Sequence, residues 1–485
     1  MERSEAEAIY DSGREACVEF ILRLAGEIEQ HGERLARLEA QTRQDSRTSS
    51  KPPSQDPPKS RAQRRAEARA KAKEMMRREG EQRQAGGQPG RRGAGRQLRP
   101  GDQIDEIVDH YPRACGGCGH VFAPEQRRPG WRFGRHQVAE LPPISVMWTE
   151  HRSHQLRCRH CRAKTSAALP DEIGAGVFGP RLQAAFVTLT ARHRVSRRGI
   201  CELARDLFGV NVSTGAADTI CRRVSEALAG PHLQLQDWVL DQDAVHVDET
   251  GWRTRGEGRA LWTATTPEAT FLQIADRCNR EQFNALIGTA YPGIVISDRW
   301  NGYNHLDPER RQVCWSHLQR DFRRHADGLG EQKTFGEQGV PLVDRVFAAW
   351  RAYQHDHHDR GQLQAEIAPV QTELRSLLEA ASFKKARNRW HRQFANNVLK
   401  VWPALWTFTL LDGVEPTNNP AERALRGPVI HRKLSLGTQS ENGERFAERA
   451  LSAAATCRQQ HRSLFTYLSD LLTAHTRGDP FPALT

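Results

Sequence analysis

From residue 244 to residue 318 the apolar residues stop recurring every three or four positions and begin to alternate. That change of period limits what the middle of the chain can fold into. AVHVDET, RALWTATT and TFLQIAD are short β-prone segments joined by turn-rich connections, and REQFNALIG returns to a helical pattern. PGIVISDRW reads as a buried strand ending at Asp298, and RQVCWSHL as a further strand candidate. The expected order is three strands, a helix, a strand, a helix and a strand.

That is the order of a ribonuclease-H-like mixed sheet. In such a sheet Asp248, on the central first strand, and Asp298, at the end of the fourth, come to lie side by side. An unpaired carboxylate inside an apolar alternation costs several kcal/mol, so Asp248 needs a partner, either a metal ion or a buried ion pair. Asp298 recurs in the same strand-end context, which favours metal. Glu249 adjoins Asp248 but points to the opposite face of the strand. A third carboxylate, Glu422, opens a helical stretch in NNPAER. The spacing from Asn419 to Glu422 is that of a capping box, yet it also aims a carboxylate outward from a helix N-terminus. Glu441 and Glu444 are the alternative third ligands. Two Mg²⁺ (or Mn²⁺) ions on hard oxygen ligands activate one oxygen and stabilise another in an in-line phosphoryl displacement, so the set reads as a site for cutting and joining DNA.

Charge agrees. The net charge is +12, and residues 51–100 hold 15 Lys and Arg against 5 Asp and Glu, so one stretch carries most of the excess. Arg64, Arg65, Lys71, Lys73, Arg91 and Arg92 fall there, in a Pro-, Gly- and Gln-rich segment with few apolar residues, and double-stranded DNA is the usual partner of such a stretch. Arg423, Arg426, Arg432 and Lys433 are further candidate phosphate contacts beside Glu422. No apolar run reaches the length needed to cross a bilayer and MERSEAEAIY is not a signal peptide, so no membrane association and a cytoplasmic, nucleoid-associated location are expected.

Ten cysteines are too sparse for a disulfide scaffold, and four of them form Cys115-Gly-Gly-Cys118 and Cys158-Arg-His-Cys161. Two such turns complete a tetrahedral four-sulfur Zn²⁺ site, a structural one because no open position remains. The 39 intervening residues exceed the usual zinc-ribbon interval, and His120, His154 or His160 can replace a thiolate.

The expected organisation is multidomain α+β. An N-terminal helix (1–43) carries Ile21, Leu24, Ile28, Leu35 and Leu38 at coiled-coil spacing, with His31 in the seam, and a basic linker (44–108) follows. The cysteine module spans 109–170. A helical, helix-turn-helix-like DNA-binding region (171–238) has a second helix that Ser213 or Thr214 caps. The catalytic core (239–325) resumes at 413–475 after a helical insertion (326–412), and a tail covers 476–485.

Taken in order, SSKPP, GGQPG, the paired Cys-x-x-Cys module, DET at Asp248, the Asp298 string, CWSHLQRDF from Cys314 and NNPAERALRGPVIHRK from Asn418 resemble a transposase of the insertion-sequence 66 family, a DDE-type enzyme, over nearly the whole length. The resemblance implies a catalytic triad of Asp248, Asp298 and Glu422. It matches Cys314 and His317 to the Cys-x-x-His element of such enzymes; read from the residues alone, they are a buried cysteine and a phosphate-facing histidine. It further implies a DNA transposase that binds the ends of a mobile element, works as a homo-oligomer and has small accessory proteins. Gly251-Trp252 and Arg299-Trp300-Asn301 depart from the commonest family pattern, but neither touches a proposed ligand. A nuclease that cuts without joining and a domesticated, non-catalytic DNA-binding protein are the alternative functions.

Overall fold

A computed structural model describes residues 10–42, 97–126, 134–170, 173, 176–355, 358–382 and 389–485. Arg64, Arg65, Lys71, Lys73, Arg91 and Arg92 lie outside these residues. The chain forms two compact units, one of residues 58–145 and one of residues 1–57 with 146–485. In the smaller unit the described backbone is mostly irregular. Its ordered feature is a tight turn at Cys115–Cys118, closed by a bridge between Ala114 and Val121.

The larger unit has the expected N-terminal helix, α1 (Arg14–Thr42). A small hairpin of β1 (Gln155–Arg157) and β2 (Lys164–Ser166) precedes four helices: α2 (Pro180–Ala191), α3 (Arg197–Phe208), α4 (Thr214–Ala227) and α5 (Ala229–Leu240). Gly209 ends α3 in the left-handed conformation at φ 65°, where glycine carries no Cβ penalty. Ser213 is the cap of α4, its hydroxyl accepting from the Ala216 N–H at 3.1 Å.

A mixed five-stranded sheet follows, in the order β5-β4-β3-β6-β7. β3 (Ala244–Thr254) pairs antiparallel with β4 (Glu257–Thr265), which pairs antiparallel with β5 (Thr270–Ala275). After helix α6 (Arg280–Ile287), β6 (Ile294–Ser297) returns parallel to β3, and β7 (Arg311–Val313) lies parallel to β6. Two expectations change here. The connection from β6 to β7 holds two single 3₁₀ turns, Asn301–Tyr303 and Pro308–Arg310, where a helix was expected. RQVCWSHL is a strand only to Val313. From Trp315 the buried residues Trp315, Leu318, Phe322 and His325 recur at helical spacing and form one stripe of α7 (Trp315–Ala326). The insertion is helical as expected, with α8 (Gly330–His355), α9 (Arg360–Ser382) and α10 (Arg389–Leu399). The chain closes with α11 (Asn419–Ser435), α12 (Glu441–Gln459) and α13 (Leu464–Arg477).

Alternation along the strands sorts their side chains between two faces. Val245, Val247, Trp262, Phe271 and Val295 share one core with Val187 and Val224 of the preceding helices and with Leu468 of α13, so this core is continuous from α2 to the end of the chain. Leu484 is buried in the same core and its carbonyl accepts from Arg462 at 3.0 Å, which docks the C-terminal tail. Ile294, Ile296 and Val313 face the other way, into a core built with the insertion helices through Val343, Leu374 and Val398. A smaller cluster of Trp252, Leu261, Leu272 and Ile274 holds Leu425 of α11 and Leu451 of α12. Each large side chain so buried contributes about 1.5–3 kcal/mol. Leu425 thereby anchors the first turns of α11, one turn beyond Glu422.

Candidate active site

The β3–β6 register pairs His246 with Ile296, so two residues further Asp248 stands beside Asp298. Asp248 Oδ1 accepts from the Glu249 N–H at 2.9 Å and Asp298 Oδ1 from the Trp300 N–H at 2.8 Å. Burial holds the Asp248 carboxyl well above the usual carboxylate range, and the charges of Glu249, Asp298 and Glu422 push it the same way. Three carboxylates therefore act on Asp248. Glu249 is on the opposite strand face, as the alternation requires, and takes a hydrogen bond from the Tyr303 hydroxyl at 2.5 Å and a weaker one from the Cys278 thiol at 3.4 Å. Burial raises its proton affinity, while the Tyr303 bond pulls it back.

Glu422 sits in the first turn of α11. The capping-box reading fails there: Asn418 is the N-cap residue, and its side chain makes no capping bond. Asn418 is fully buried and reaches the sheet instead, donating to the Val247 carbonyl at 2.8 Å and lying 3.2 Å from His246 Nδ1, while its own N–H points to Cys314 Sγ at 3.1 Å. Glu422 is then free to face α7. Its Oε1 lies 3.3 Å from Arg320 Nη2 and 3.7 Å from His317 Nε2. Cys314 is buried, its thiol pushed up to about 11 by burial, and serves packing and the Asn418 contact. His317 meets the carboxylate, and burial lowers its proton affinity. Of the other glutamates, Glu441 is exposed and Glu444 is committed elsewhere, accepting from the Thr254 hydroxyl at 2.5 Å.

Beneath Asp298 lies a residue that no sequence pattern singles out. Arg311 is 1% exposed and donates from Nε to Ser297 Oγ at 3.1 Å, from Nη1 to the Tyr303 carbonyl at 3.1 Å and from Nη2 to the Asp298 carbonyl at 2.6 Å. An arginine heading a short apolar strand was the available signal. Tyr303, Arg320, His246 and Asn418 were missed for a related reason, since each acts through contacts distant in sequence. Arg299, in the turn after Asp298, pairs with Asp321 of α7.

Of the cations proposed beside Glu422, Arg423 and Arg426 are exposed, as is Lys433. Arg432 is half-buried, its Nη1 3.3 Å from Thr250 Oγ1, two residues from Asp248.

The two Cys-x-x-Cys turns, each within its own unit, have the same backbone pattern. The Cys115 N–H donates to the His120 carbonyl and the Gly119 N–H returns to Cys115 O, at 2.8 and 2.9 Å; the Cys158 N–H donates to Ala163 O and the Arg162 N–H returns to Cys158 O, at 2.8 and 2.9 Å. Gly119 and Arg162 both take positive φ, 73° and 61°. Backbone hydrogen bonds lower the proton affinity of Cys115 and of Cys158, which favours the ligating thiolate form.

Among the described residues, no group of three or more His, Cys, Asp or Glu side chains is gathered closely enough to hold a metal ion. The donor chemistry nonetheless suits divalent magnesium or manganese: the neighbouring acidic groups present hard oxygens, and a cation would relieve the repulsion that raises the Asp248 proton affinity. No described helix is long and apolar enough to cross a membrane.

Residues 175–445 match a family model described as "Transposase IS66 family", and residues 3–97 match a family of unknown function. An uncharacterized protein of Sinorhizobium fredii, y4hP, is 24% identical over 413 residues, which is 76% of this chain and 71% of the relative. A second uncharacterized protein of that organism, y4qI, is 26% identical over 214 residues, covering 39% of this chain and 37% of the relative.

Proposed function

The chain belongs to the IS66 family of transposases, and from that premise we propose that it cuts DNA at the ends of a mobile element and joins the freed 3′-hydroxyl to target DNA, on a ribonuclease-H-like core. The observation that carries the reading is the parallel pairing of β3 with β6, which runs to two residues before Asp248 and Asp298, with Asp298 and Glu422 both close enough for their charges to raise the proton affinity of Asp248.

Asp248, Asp298 and Glu422 are the residues that would hold Mg²⁺. When bound, the metal supplies Lewis-acid activation of the attacking oxygen and charge neutralisation at the phosphate. The protein's own groups position these carboxylates. Asn418 fastens the start of α11 to β3, and Arg320 with His317 aims Glu422 from α7. Arg311 fixes the Asp298 backbone and puts a buried positive charge under the carboxylates, so they are not left to repel one another without compensation. Arg432, beside Thr250, and the exposed Arg423 and Arg426 are placed to meet DNA phosphates from the helix that carries Glu422.

Within the same reading, Cys115, Cys118, Cys158 and Cys161 are zinc ligands that order small loop-rich segments, a role that the paired turns and the lowered thiol proton affinities of Cys115 and Cys158 support. The basic stretch with Arg64, Arg65, Lys71, Lys73, Arg91 and Arg92 tracks phosphates. Helices α3 and α4 read the element end, and α1 joins copies of the chain so that two ends are held together. Small accessory proteins of the same element complete the assembly.

The test is strand cleavage of a duplex carrying the element end, in Mg²⁺ and in Mn²⁺. Asp248→Asn and Asp298→Asn should each remove cleavage and joining while keeping end binding, because the amide preserves size but is a weaker ligand. More than a few per cent of wild-type cleavage in either variant would remove that residue from the ligand set. Cleavage without joining in the wild type would make it a nuclease instead.

A further inference from the structure

Arginines from four separate elements lie on α11, on the strand beside it and around the turn that touches it, without carboxylates to pair with. Arg192 and Arg194 come from the turn between α2 and α3, where Arg194 adopts a positive φ of 65°, Arg253 from β3, Arg432 from α11 itself and Arg458 from α12. Arg194 Nη2 lies 3.9 Å from where a Cβ on Gly427 would sit, so the turn touches α11 one helical turn beyond Arg423. Four residues on again is His431, whose ring stacks on Trp252 at 6.4 Å and whose proton affinity burial and the charges of Arg197 and Arg194 depress. Arg458 feels Arg192 and Arg194 in the same way, and Arg432 feels Arg253. Arg192, Arg194, Arg253 and Arg458 have no carboxylate partner among the described residues. Arg197, by contrast, reaches Asp218 at 3.6 Å.

Gathering like charges in this way lowers stability unless a counter-charge arrives from outside. Arginine suits one anion above others, since its planar fork matches a phosphate. The geometry supplies the length. Arg423, Gly427 and His431 follow one face of α11 at four-residue intervals, starting one residue past Glu422, so the track extends about 14 Å from the catalytic end at 1.5 Å per residue. Along a duplex that spans about four phosphates of one strand at 3.4 Å each.

We propose that this arginine track, from Arg423 past Arg194 and Arg192 to Arg458 with Arg432 and Arg253 on its flank, is a second backbone-binding surface. It holds the phosphates of one strand of duplex DNA next to the strand being cut. The inference rests on the catalytic reading of Asp248, Asp298 and Glu422 for which strand is held, but not for whether the surface binds DNA. Its consequence is that α2 and α3 orient DNA at the active site through phosphates, because their core is continuous with that of the sheet.

The test uses the full chain and a duplex of random sequence, with affinity measured across a range of salt concentrations. Arg192→Gln, Arg194→Asn and Arg458→Gln are combined; asparagine tolerates the positive φ at 194. A second triple, Arg351→Gln, Lys400→Gln and Arg477→Gln, removes three exposed charges elsewhere. The first triple should flatten the logarithmic salt slope by about 2–3, about 0.9 for each phosphate no longer neutralised, and lower cleavage of an element end in proportion to the bound fraction. The control triple should leave the slope within about 0.5 of wild type. Equal slopes for the first triple and the control, in variants that melt as the wild type does, would overturn the proposal. Asp248→Asn separates the two readings. If it keeps cleavage, the catalytic assignment fails while the slope test still stands; if it loses cleavage and the first triple binds normally, only the arginine track is wrong.

Discussion

Asn418 donates from Nδ2 to the Val247 carbonyl at 2.8 Å, one residue before Asp248, so the residue that opens the helix of Glu422 is bonded to the strand of the aspartate. Two carboxylates 174 positions apart in the sequence are thereby set against each other by one amide. Removing it in Asn418→Ala leaves the Val247 carbonyl and His246 Nδ1 without their partner in a buried site, which costs about 1–3 kcal/mol. The expected outcome is a fall in unfolding free energy of that size, with a larger proportional loss of cleavage than of DNA affinity. A variant with wild-type cleavage would show that α11 is held by Leu425 and its neighbours alone.

The raised proton affinity of Asp248 has a consequence for stability. A carboxyl whose folded pKa lies above its unfolded value binds its proton more tightly when folded, so folding is favoured at low pH. That contribution is lost as pH rises from the ordinary carboxylate range, near 3.9, through the folded value. In protein stripped of divalent metal, Asp248→Asn should therefore melt higher than wild type at pH 7 to 8, and the difference should close towards pH 4. Added Mn²⁺ should raise the melting temperature of the wild type and not of the variant. Equal melting temperatures at neutral pH would mean that neighbouring cations already balance the charge.

The strands and both aspartates were legible because each rests on local pattern. A period of two marks β3, and the same apolar-run-then-aspartate string ends β6. Ser213 and Gly209, which bound the turn between α3 and α4, obey short-range rules, and the cap could be narrowed in advance to Ser213 or Thr214, of which Ser213 takes the position. What failed was decided by contacts distant in sequence. Residues 298–310 carry no helix because Arg311 reaches back to the Tyr303 carbonyl and fixes that segment as turns. RQVCWSHL gives up its strand at Cys314 because Trp315, Leu318 and Phe322 have a hydrophobic core to fill only as a helix. The capping spacing at Glu422 misled because the helix starts one residue earlier than a cap at Asn419 requires, and Asn418, which takes the N-cap position, turns its side chain to β3 instead. The arginines around α11 are spread from residue 192 to residue 458, and no reading of one segment brings them together.

The two cysteine turns make a prediction about metal that does not involve the catalytic carboxylates. If the matched backbone patterns at Cys115 and Cys158 serve zinc, freshly purified, reduced protein should contain it, and Cys115→Ser or Cys158→Ser should each lower the content. Loss of the metal should expose residues 109–170 to protease while Mn²⁺-dependent cleavage of a preassembled complex changes little. Zinc-free protein with the same protease resistance would reject the assignment and leave the turns as hairpins closed by their own hydrogen bonds.

Arg311 gives the sharpest test of how the site is held from below. Burial draws its proton affinity down to about 10, yet at neutral pH it remains a cation, and its hydrogen bonds go to Ser297 Oγ and to the carbonyls of Tyr303 and Asp298. The charge of Asp298 acts to hold its proton, so its position is explained by the carboxylates above it. Arg311→Lys keeps the charge but cannot span three acceptors, and Arg311→Met removes both. Both variants should lose stability, by about 2–4 kcal/mol for methionine, since Ser297 Oγ and the carbonyls of Tyr303 and Asp298 each lose a charge-assisted donor in a buried site. The lysine variant should retain more Mn²⁺ affinity than the methionine variant if geometry at Asp298 matters most. The reverse order would show that the buried positive charge works against the metal, and that Arg311 serves the fold at the expense of the site. Unfolding titrations in denaturant, alongside Mn²⁺ binding followed by electron paramagnetic resonance, separate the two outcomes.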